Sequence, residues 1–315
     1  MNSGASVGTL FDTLHEKLEL QWSNRRRGGN RSIEAPADDT ASTALVGHLN
    51  LIHPNRVQVL GRTEIAYLDG LTPASRRDLV EQLFAGTTDL IVIGNGEPVP
   101  DDIKQRAEAT SVPVFTSTQP TQRLVNYLQY YLTTLFADKI TLHGVFMEVF
   151  SLGVLITGAS SVGKSELALE LVARGHRLVA DDATVFSRTA PDVLNGRCPD
   201  MLRDFLEVRG LGILNIRAMF GDSAIKQARN LRLILKLMPM TDEEIRRIDR
   251  LHGARSTRNI LGVDIPEITL PVAPGRNLAV LAEAAARNHV LYLKGFDSSK
   301  MFMERQARFM ENDPS

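Results

Sequence analysis

Two rhythms of apolar and polar positions alternate along the first part of the chain. Leu10, Phe11, Leu14 and Leu18 recur at helical spacing and predict a first amphipathic helix. Three further stretches have helical patterns: PASRRDLVEQLFAG, PDDIKQRAEAT and QPTQRLVNYLQYYLTTLFA. Four short apolar runs predict strands: LVGHLNLI, RVQVLG, DLIVIG and VPVFTS. Strands that alternate with helices in this way predict an α/β domain of about 130 residues.

The pattern changes near residue 138. The segment KITLHGVFMEVFSLGVLIT contains two apolar, β-rich runs, and Gly144 and Gly153 indicate turns or bulges within it. We therefore place a domain boundary here, which divides the chain into residues 1–137 and 138–315. The first domain contains no recognisable phosphate loop and no metal-ligand spacing, which favours a scaffold or regulatory role for it.

Composition and charge narrow the classes of protein that remain. The net charge of -1 gives no electrostatic case for binding nucleic acid or an anionic membrane. The N-terminus carries charges where a signal peptide needs an apolar core, and no run approaches the roughly 20 apolar residues of a membrane span. Cys198 is the single cysteine, so no intrachain disulfide can form. These features predict a soluble cytoplasmic protein.

The strongest chemical signal is the sequence GASSVGKS, which fits the phosphate-loop pattern G-x-x-x-x-G-K-[ST]. An apolar run predicts a strand before it, and a helical apolar face follows it and closes at Gly175. The residues assigned to nucleotide or polyphosphate binding are Gly158, Ala159, Ser160, Ser161, Val162, Gly163, Lys164 and Ser165. In this pattern Lys164 reaches the β- and γ-phosphates, and the Ser165 hydroxyl ligates Mg²⁺.

Two adjacent carboxylates, Asp181 and Asp182, follow a short predicted strand after the loop helix. A parallel strand in this position would lie next to the phosphate-loop strand and end at the same crevice. A carboxylate there could act on a water as in an ATPase, hold Mg²⁺, or accept a proton from a substrate hydroxyl as in a kinase. The spacing alone leaves these roles open, and a helix cap or surface turn is the plainer alternative.

Two later segments carry charges in unusual places. In FLEVRGLGILNI an apolar run is broken by glycines, and Glu207 and Arg209 flank the break. Glu207 suits a second contact to Mg²⁺, which usually takes one or two carboxylates besides phosphate oxygens. PVAPGR predicts a rigid turn with Arg276, followed by a helix. The C-terminal tail predicts a helix that either packs on its own domain or contacts a neighbouring subunit or substrate protein.

Together these segments resemble the HPr kinase/phosphorylase family, bacterial enzymes that act on a serine of the phosphocarrier protein HPr. The phosphate loop alone is unspecific, but its combination with RGHRLVADD and EVRGLGILNI is highly specific. The other matching stretches are LVGHLNLIHPNRVQVLG, HGVFMEVFSLGVLIT, DRLHG and ILGVDIPEITLPVAPGRNLAVLAEAAARN, so the resemblance spans most of residues 45–290.

The resemblance implies a role for each matching residue. Asp182, with Asp181 beside it, would be the acid/base. Lys164 and Ser165 would take the phosphates and the metal, and Glu207 would also contact the metal. The further catalytic residues would be His143 and Arg250. The region tied to dephosphorylation would be Pro271, Val272, Ala273, Pro274, Gly275 and Arg276. Without the resemblance, His143 would be interpreted as a satisfied histidine at a strand end.

The resemblance also implies cofactors, partners and folds. The phosphoryl donor would be ATP or pyrophosphate with Mg²⁺ (or Mn²⁺), and phosphoserine-HPr would be dephosphorylated by inorganic phosphate to give pyrophosphate. The family forms homohexamers. Its N-terminal α/β domain resembles a murein-ligase substrate domain, and its C-terminal P-loop kinase domain resembles phosphoenolpyruvate carboxykinase. A small-molecule kinase or carboxykinase and a non-enzymatic nucleotide-gated regulator are the competing hypotheses.

Two positions depart from the family pattern. Ser161 stands where the family usually has glycine, and its side chain would crowd the loop unless it points outward. Ala273 stands where a basic residue is common, which bears on phosphorolysis.

Overall fold

The structure, a computed structural model, describes residues 5–24, 26–34, 45–50, 54–84, 88–247, 249 and 253–312. It divides into two compact units, Met1–Ala137 and Asp138–Ser315. Both combine helices with sheets, which confirms the mixed α/β class. None of the helices in the described ranges is long and apolar enough to cross a membrane.

The first unit is built around a five-stranded sheet in the order β2-β7-β6-β5-β4. Its strands are β1 (Ala5–Ser6), β2 (Gln21–Trp22), β3 (Ser32–Ile33), β4 (Val46–His48), β5 (Val57–Leu60), β6 (Leu90–Ile93) and β7 (Val114–Thr116). Strands β4 to β7 run parallel, β2 pairs antiparallel with β7, and β1 pairs with β3 in a separate ribbon.

Helices cover both faces of this sheet. They are α1 (Val7–Leu18), α2 (Arg62–Asp69), α3 (Pro73–Phe84), α4 (Asp101–Thr110) and α5 (Thr121–Phe136). One core joins α1 and α5 to the sheet, and the other joins α2, α3 and α4 to its opposite face. The helical patterns predicted α1, α3, α4 and α5. Helix α2 was missed because it is short and buries only Ile65 and Leu68.

The second unit contains a nine-stranded mixed sheet, with seven strands in the order β11-β9-β10-β16-β13-β12-β8. Of the other two, β18 pairs with β16, and β17 pairs with β18. Its strands are β8 (Lys139–His143), β9 (Val145–Val149), β10 (Leu152–Gly158), β11 (Arg177–Ala180), β12 (Ala183–Ala190), β13 (Val193–Arg197), β14 (Phe205–Val208), β15 (Gly212–Asn215), β16 (Ala228–Pro239), β17 (Arg255–Ile260) and β18 (Val263–Val272). The hairpin β14–β15 forms a small sheet of its own.

The helices of the second unit are α6 (Lys164–Ala173), α7 (Ile216–Phe220), α8 (Asp242–Arg247), α9 (Leu278–Leu293) and α10 (Ser298–Asn312). Apolar residues of α6 and α9 pack on one face of the sheet, in a core that also holds Leu206 and Val208 of the hairpin. A second core covers the opposite face and includes Phe146, Phe186 and Cys198. The phosphate-loop strand β10 thus lies between two apolar layers, which fixes the position of its end.

One expectation about this sheet was wrong. Strand β11 does not lie next to β10, because β9 is inserted between them and pairs antiparallel with both. Two antiparallel pairings in succession make β11 parallel to β10 again. Their carboxyl ends therefore reach the same edge of the sheet. The phosphate loop and the two aspartates lie together at this edge, as predicted, although β10 and β11 are not neighbours.

Candidate active site

The phosphate loop connects β10 to α6, as the sequence predicted. Gly158 has φ 146°, and a Cβ there would lie 2.6 Å from the carbonyl oxygen of Leu237, so no larger residue fits. Gly163 has φ 100° and is the N-cap of α6, but it brings no side chain to cap the helix. The backbone N–H groups of the first helical turn are consequently left for an anion, which the helix dipole also favours.

Lys164 is the first residue of α6, and its ammonium group folds over the loop. It donates to the carbonyl oxygen of Ala159 at 2.9 Å and to that of Gly158 at 3.2 Å. An ammonium group has three N–H donors, so these contacts hold it in place and leave one donor for a phosphate oxygen.

Ser161 adopts the left-handed backbone conformation, with φ 65°. This conformation costs an L-residue roughly 1–2 kcal/mol and explains why a glycine would be favoured here. The serine is exposed, and its Oγ accepts a hydrogen bond from the Arg209 guanidinium. The side chain therefore lies at the wall of the cleft and connects the loop to the β14–β15 hairpin.

The two aspartates occupy different environments although they are neighbours in sequence. Asp181 is half-buried, and its Oδ2 accepts the backbone N–H of Glu207 at 2.8 Å. Burial raises the pKa of the Asp181 carboxyl, and the negative charges of Asp182 and Glu207 add to this effect. Asp181 thus holds the hairpin against the end of β11, which is a positioning role.

Asp182 is open to solvent, with 82% of its side chain exposed. Its backbone has φ 60°, and its carbonyl oxygen accepts the N–H of Gly144 at 3.1 Å, which fixes the turn that presents the carboxylate. Nδ1 of His143 lies 3.7 Å from Oδ1 of Asp182. His143 ends strand β8, and its side chain, which is also 82% exposed, stands beside the Asp182 carboxylate.

These elements surround one open cleft of about 330 Å³. It is lined by Gly144, Ser160, Ser161, Gly163, Lys164, Ser165, Glu166, Asp181, Asp182, Glu207 and Arg209. The structure therefore brings both aspartates, Glu207 and much of the phosphate loop together. Val162 instead belongs to the apolar core, and Gly158 and Ala159 act through their backbone.

Other predicted residues do not line this cleft. Residues 271–276 end β18 and continue into the loop before α9, and Arg276 is exposed there. Strands β10, β16 and β18 are parallel, so this loop leaves the same edge of the sheet, about 10 Å from the phosphate-loop strand at the usual strand spacing. Arg250 lies outside the described residues.

The cleft offers oxygen ligands of the kind that Mg²⁺ prefers. The Ser165 hydroxyl and the Glu207 carboxylate both face it, with Asp181 and Asp182 nearby. In the described ranges no group of three or more His, Cys, Asp and Glu side chains is close enough to hold an ion alone. The donor set fits a Mg²⁺ that takes one or two protein oxygens and completes its shell with phosphate oxygens and water.

Sequence reasoning left two cleft residues without a role. Arg209 brings a guanidinium to the cleft, where it is a second cation besides Lys164, and Glu166 brings a carboxylate from the first turn of α6. The signal for Arg209 was present, since a charge inside a glycine-broken apolar run is unusual. The hairpin that aims it at Ser161 could not be derived from that signal.

Comparison with known proteins gives a consistent result. The family described as HPr Serine kinase N terminus matches residues 5–132, and that described as HPr Serine kinase C-terminal domain matches residues 134–306. The HPr kinase/phosphorylase of Xylella fastidiosa (strain M12) is 46% identical over 315 residues, covering 100% of both chains. That of Xanthomonas campestris pv. campestris (strain B100) is 46% identical over 312 residues, 99% of each chain.

A solved structure, "Structure of the Hpr(Ser) kinase/phosphatase from Coxiella burnetii", is 38% identical and covers 52% of this chain and 98% of that chain, with a TM-score of 0.45. The two matching family models and the full-length relatives together establish that this chain belongs to the HPr kinase/phosphorylase family.

Proposed function

We propose that this chain transfers a phosphoryl group from ATP, or from pyrophosphate, to a serine of the protein HPr, and that it removes the group again by phosphorolysis. The observation that carries the proposal is the exposed Asp182 carboxylate at the rim of an open cleft that also holds an uncapped phosphate loop. A serine on the surface of another protein can reach a carboxylate placed in this way, whereas an enclosed pocket would admit small molecules only.

In the kinase direction the serine hydroxyl attacks the terminal phosphorus of the donor. Asp182 accepts the hydroxyl proton as the new O–P bond forms, and the bridging P–O bond to the leaving phosphate breaks. The Lys164 ammonium and the N–H groups at the start of α6 stabilise the negative charge that grows on the bridging and terminal oxygens. All these groups line the same cleft or lie at its floor.

In the reverse direction, an oxygen of inorganic phosphate attacks the phosphorus of phosphoserine. The serine oxygen leaves and takes back a proton from Asp182, and the product is pyrophosphate. One carboxylate serves both directions because proton transfer follows the same path forwards and backwards.

We propose that residues 271–276 contribute chiefly to the reverse direction, phosphorolysis, since Arg276 is an exposed cation at the same edge of the sheet. Arg276→Ala should then slow phosphorolysis more than phosphorylation; an equal loss in both rates contradicts this.

Mg²⁺ (or Mn²⁺) would be held by Ser165 and Glu207 with the phosphates of the donor. When bound, it supplies positive charge that neutralises phosphate oxygens. The role of Glu207 is tested by titrating activity with Mg²⁺ in wild type and Glu207→Gln. We expect the variant to need more Mg²⁺ for half-maximal activity, and identical titration curves would remove Glu207 from the metal site.

The remaining parts of the proposal concern assembly. We propose a homohexamer, and the exposed apolar side chains Phe302, Met303 and Phe309 on α10 support contact with a second chain. Sedimentation showing a monomer at micromolar concentration would contradict it. We also propose that residues 1–137 form a scaffold or regulatory domain, and 138–315 the catalytic domain, with the likenesses to murein-ligase and carboxykinase domains that the family implies.

The central experiment mixes purified protein, HPr and ATP with Mg²⁺ and follows HPr by mass spectrometry. We expect one added phosphoryl group on a serine. Addition of inorganic phosphate to isolated phosphoserine-HPr should release pyrophosphate. Phosphoryl transfer to a small acceptor without modification of HPr would favour a small-molecule kinase, and nucleotide binding without any transfer would favour a regulator.

A further inference from the structure

A second polar cavity lies at the opposite edge of the nine-stranded sheet. It has a volume of about 480 Å³, and its lining residues are Ser151, Asn195, Lys226, Ala228, Arg229, Asn230 and Arg232. Ser151 precedes β10, and Ala228 begins β16, so the cavity sits at the amino ends of these parallel strands. The phosphate loop follows the other end of β10, roughly 20 Å away at the rise of a β-strand.

Positive charge dominates this cavity. Lys226, Arg229 and Arg232 line it, and none of the described residues that line it carries a carboxylate. Arg229 is partly neutralised, because its Nε lies 3.1 Å from Oε2 of the buried Glu148. Among the described residues, no acidic side chain pairs with Lys226 or Arg232. Two uncompensated cations therefore face a concave surface.

Neutral donors accompany these cations. Asn195 and Asn230 are directly opposite each other on β13 and β16, and Nδ2 of Asn195 donates to Oδ1 of Asn230 at 2.9 Å. This bond occupies the acceptor oxygen of Asn230 and leaves its Nδ2 as a donor. Ser151 adds a hydroxyl. Cations and amide or hydroxyl donors in one cavity are the chemistry that binds oxyanions.

The rim of the cavity is backbone held in a costly conformation. The two-residue turn between β9 and β10 places Phe150 at φ 48° and Ser151 at φ 64°. Such turns favour Asn and Gly, and bulkier residues with positive φ persist only where their surroundings hold them. Here Arg229 donates to the Ser151 carbonyl oxygen, and the Arg287 guanidinium lies 4.1 Å from the centre of the Phe150 ring. The turn is fixed, and it keeps Ser151 and Arg229 at the cavity.

We infer that this cavity is a second anion site, distinct from the nucleotide cleft, which binds a small metabolite bearing phosphate or at least two carboxylates. Its volume falls within the usual range for small-molecule sites. The inference does not depend on the phosphoryl-transfer proposal, because no residue is shared between the two cavities.

The test is calorimetric titration of the full-length protein with inorganic phosphate and, separately, with succinate. Each titration is run with the phosphate loop saturated by Mg²⁺ and a non-hydrolysable ATP analogue. We expect one binding event to persist under these conditions. Lys226→Met/Arg232→Met should weaken it at least tenfold, and Arg258→Met/Lys294→Met, which removes two exposed cations elsewhere on the unit, should leave it unchanged. Tighter binding of phosphate would indicate a phosphate ester, and tighter binding of succinate a polycarboxylate.

Three results would overturn the inference: no binding once the loop is saturated, undiminished binding in Lys226→Met/Arg232→Met, or equal weakening in both double variants. Because the Arg232 side chain is exposed, the single variant Arg232→Glu should fold normally, and it serves as the check on a folding defect in the double variant. It should also abolish binding while its melting temperature stays near that of wild type.

Discussion

Helices α2 and α5 of the first unit and helix α6 of the second differ in what meets the backbone N–H groups at their starts. In the first unit, the Glu64 carboxylate accepts the backbone N–H of Gly61 at 2.8 Å before α2. The Asn95 side chain accepts that of Thr121 at 2.9 Å at the start of α5. These helices follow parallel strands, as phosphate-binding helices do, but at each start a side chain of the same unit accepts one backbone N–H.

In the second unit, α6 begins at Gly163 without a side-chain cap. Its free N–H groups open onto the cleft, and Lys164 stands where the first unit has Arg62 at the start of α2. The comparison teaches that an α/β arrangement does not by itself make a phosphate site. At the start of α6 the backbone donors meet no accepting side chain and face an open cleft, with the Lys164 ammonium beside them, so they are available to a ligand.

The largest expected effect concerns Asp182, whose carboxylate is exposed in the second unit, whereas the Glu64 carboxylate of the first unit accepts a backbone N–H. Asp182→Asn should lower the rates of HPr phosphorylation and of phosphorolysis by about 10² to 10⁴-fold, because the amide cannot accept the serine proton. Nucleotide affinity should change little, since the loop makes most phosphate contacts. Initial rates in both directions and a nucleotide titration measure this. A variant that lost only one direction would require His143 or Asp181 to serve the other.

A matched pair of cations gives the next effect. Lys164→Ala should reduce both rates by about 10² to 10³-fold, as expected when a preorganised donor to developing charge is removed. Arg62 occupies the corresponding first position of α2, where it pairs with Glu97 at 2.8 Å. Arg62→Ala should leave both rates within twofold of wild type. Comparable losses in the two variants would show that the contrast between the helix starts has no functional meaning.

A third test removes the side chain that accepts a backbone N–H at the start of α2. Glu64→Ala leaves the Gly61 N–H without its partner and should destabilise the protein by about 1 kcal/mol, measured by denaturant unfolding. Both enzymatic rates should be unchanged at a temperature where the variant is folded. A stability equal to that of wild type would mean that water replaces the carboxylate at no cost.

The smallest effect concerns the single thiol, which reports on the second core of the second unit. Burial raises the pKa of Cys198 to about 11. The native fold therefore favours the neutral thiol, a stabilising contribution that is complete below the ordinary thiol pKa and is lost as pH rises from there to about 11. We expect slow alkylation at pH 8 that accelerates in denaturant. Rapid labelling of the native protein would show that this core opens more readily than its burial implies.

The first unit followed from sequence more fully than the second. Its helices α3 and α5 have long apolar faces, and β5 and β6 are short buried runs between turns, so local pattern was sufficient for these elements. Strand β9 joins β10 through a two-residue turn, but its other side pairs with β11, which follows the phosphate loop and α6 in the chain. This second pairing is not local, so the insertion of β9 between β10 and β11 could not be predicted, although the shared edge of the sheet could.

The candidate site shows the same division. The phosphate loop is a local motif and was predicted residue by residue. Asp181 and Asp182 are equivalent as letters, and only the fold buries one beneath the hairpin and exposes the other. The contact between Arg209 and Ser161 joins segments that are 48 residues apart, and no periodicity encodes it.

The β14–β15 hairpin has a consequence for how acceptor preference could evolve. Its inner side chains Leu206 and Val208 are anchored in the core beside α6, whereas Ile213 and its tip around Leu211 are exposed. Because the hairpin pairs with none of the described strands of the large sheet, exposed residues such as Leu211 and Ile213 can be exchanged without shifting β10, provided that Arg209 keeps its contact with the phosphate loop. A lineage could in this way reshape the wall that a docking protein meets while inheriting the donor machinery intact.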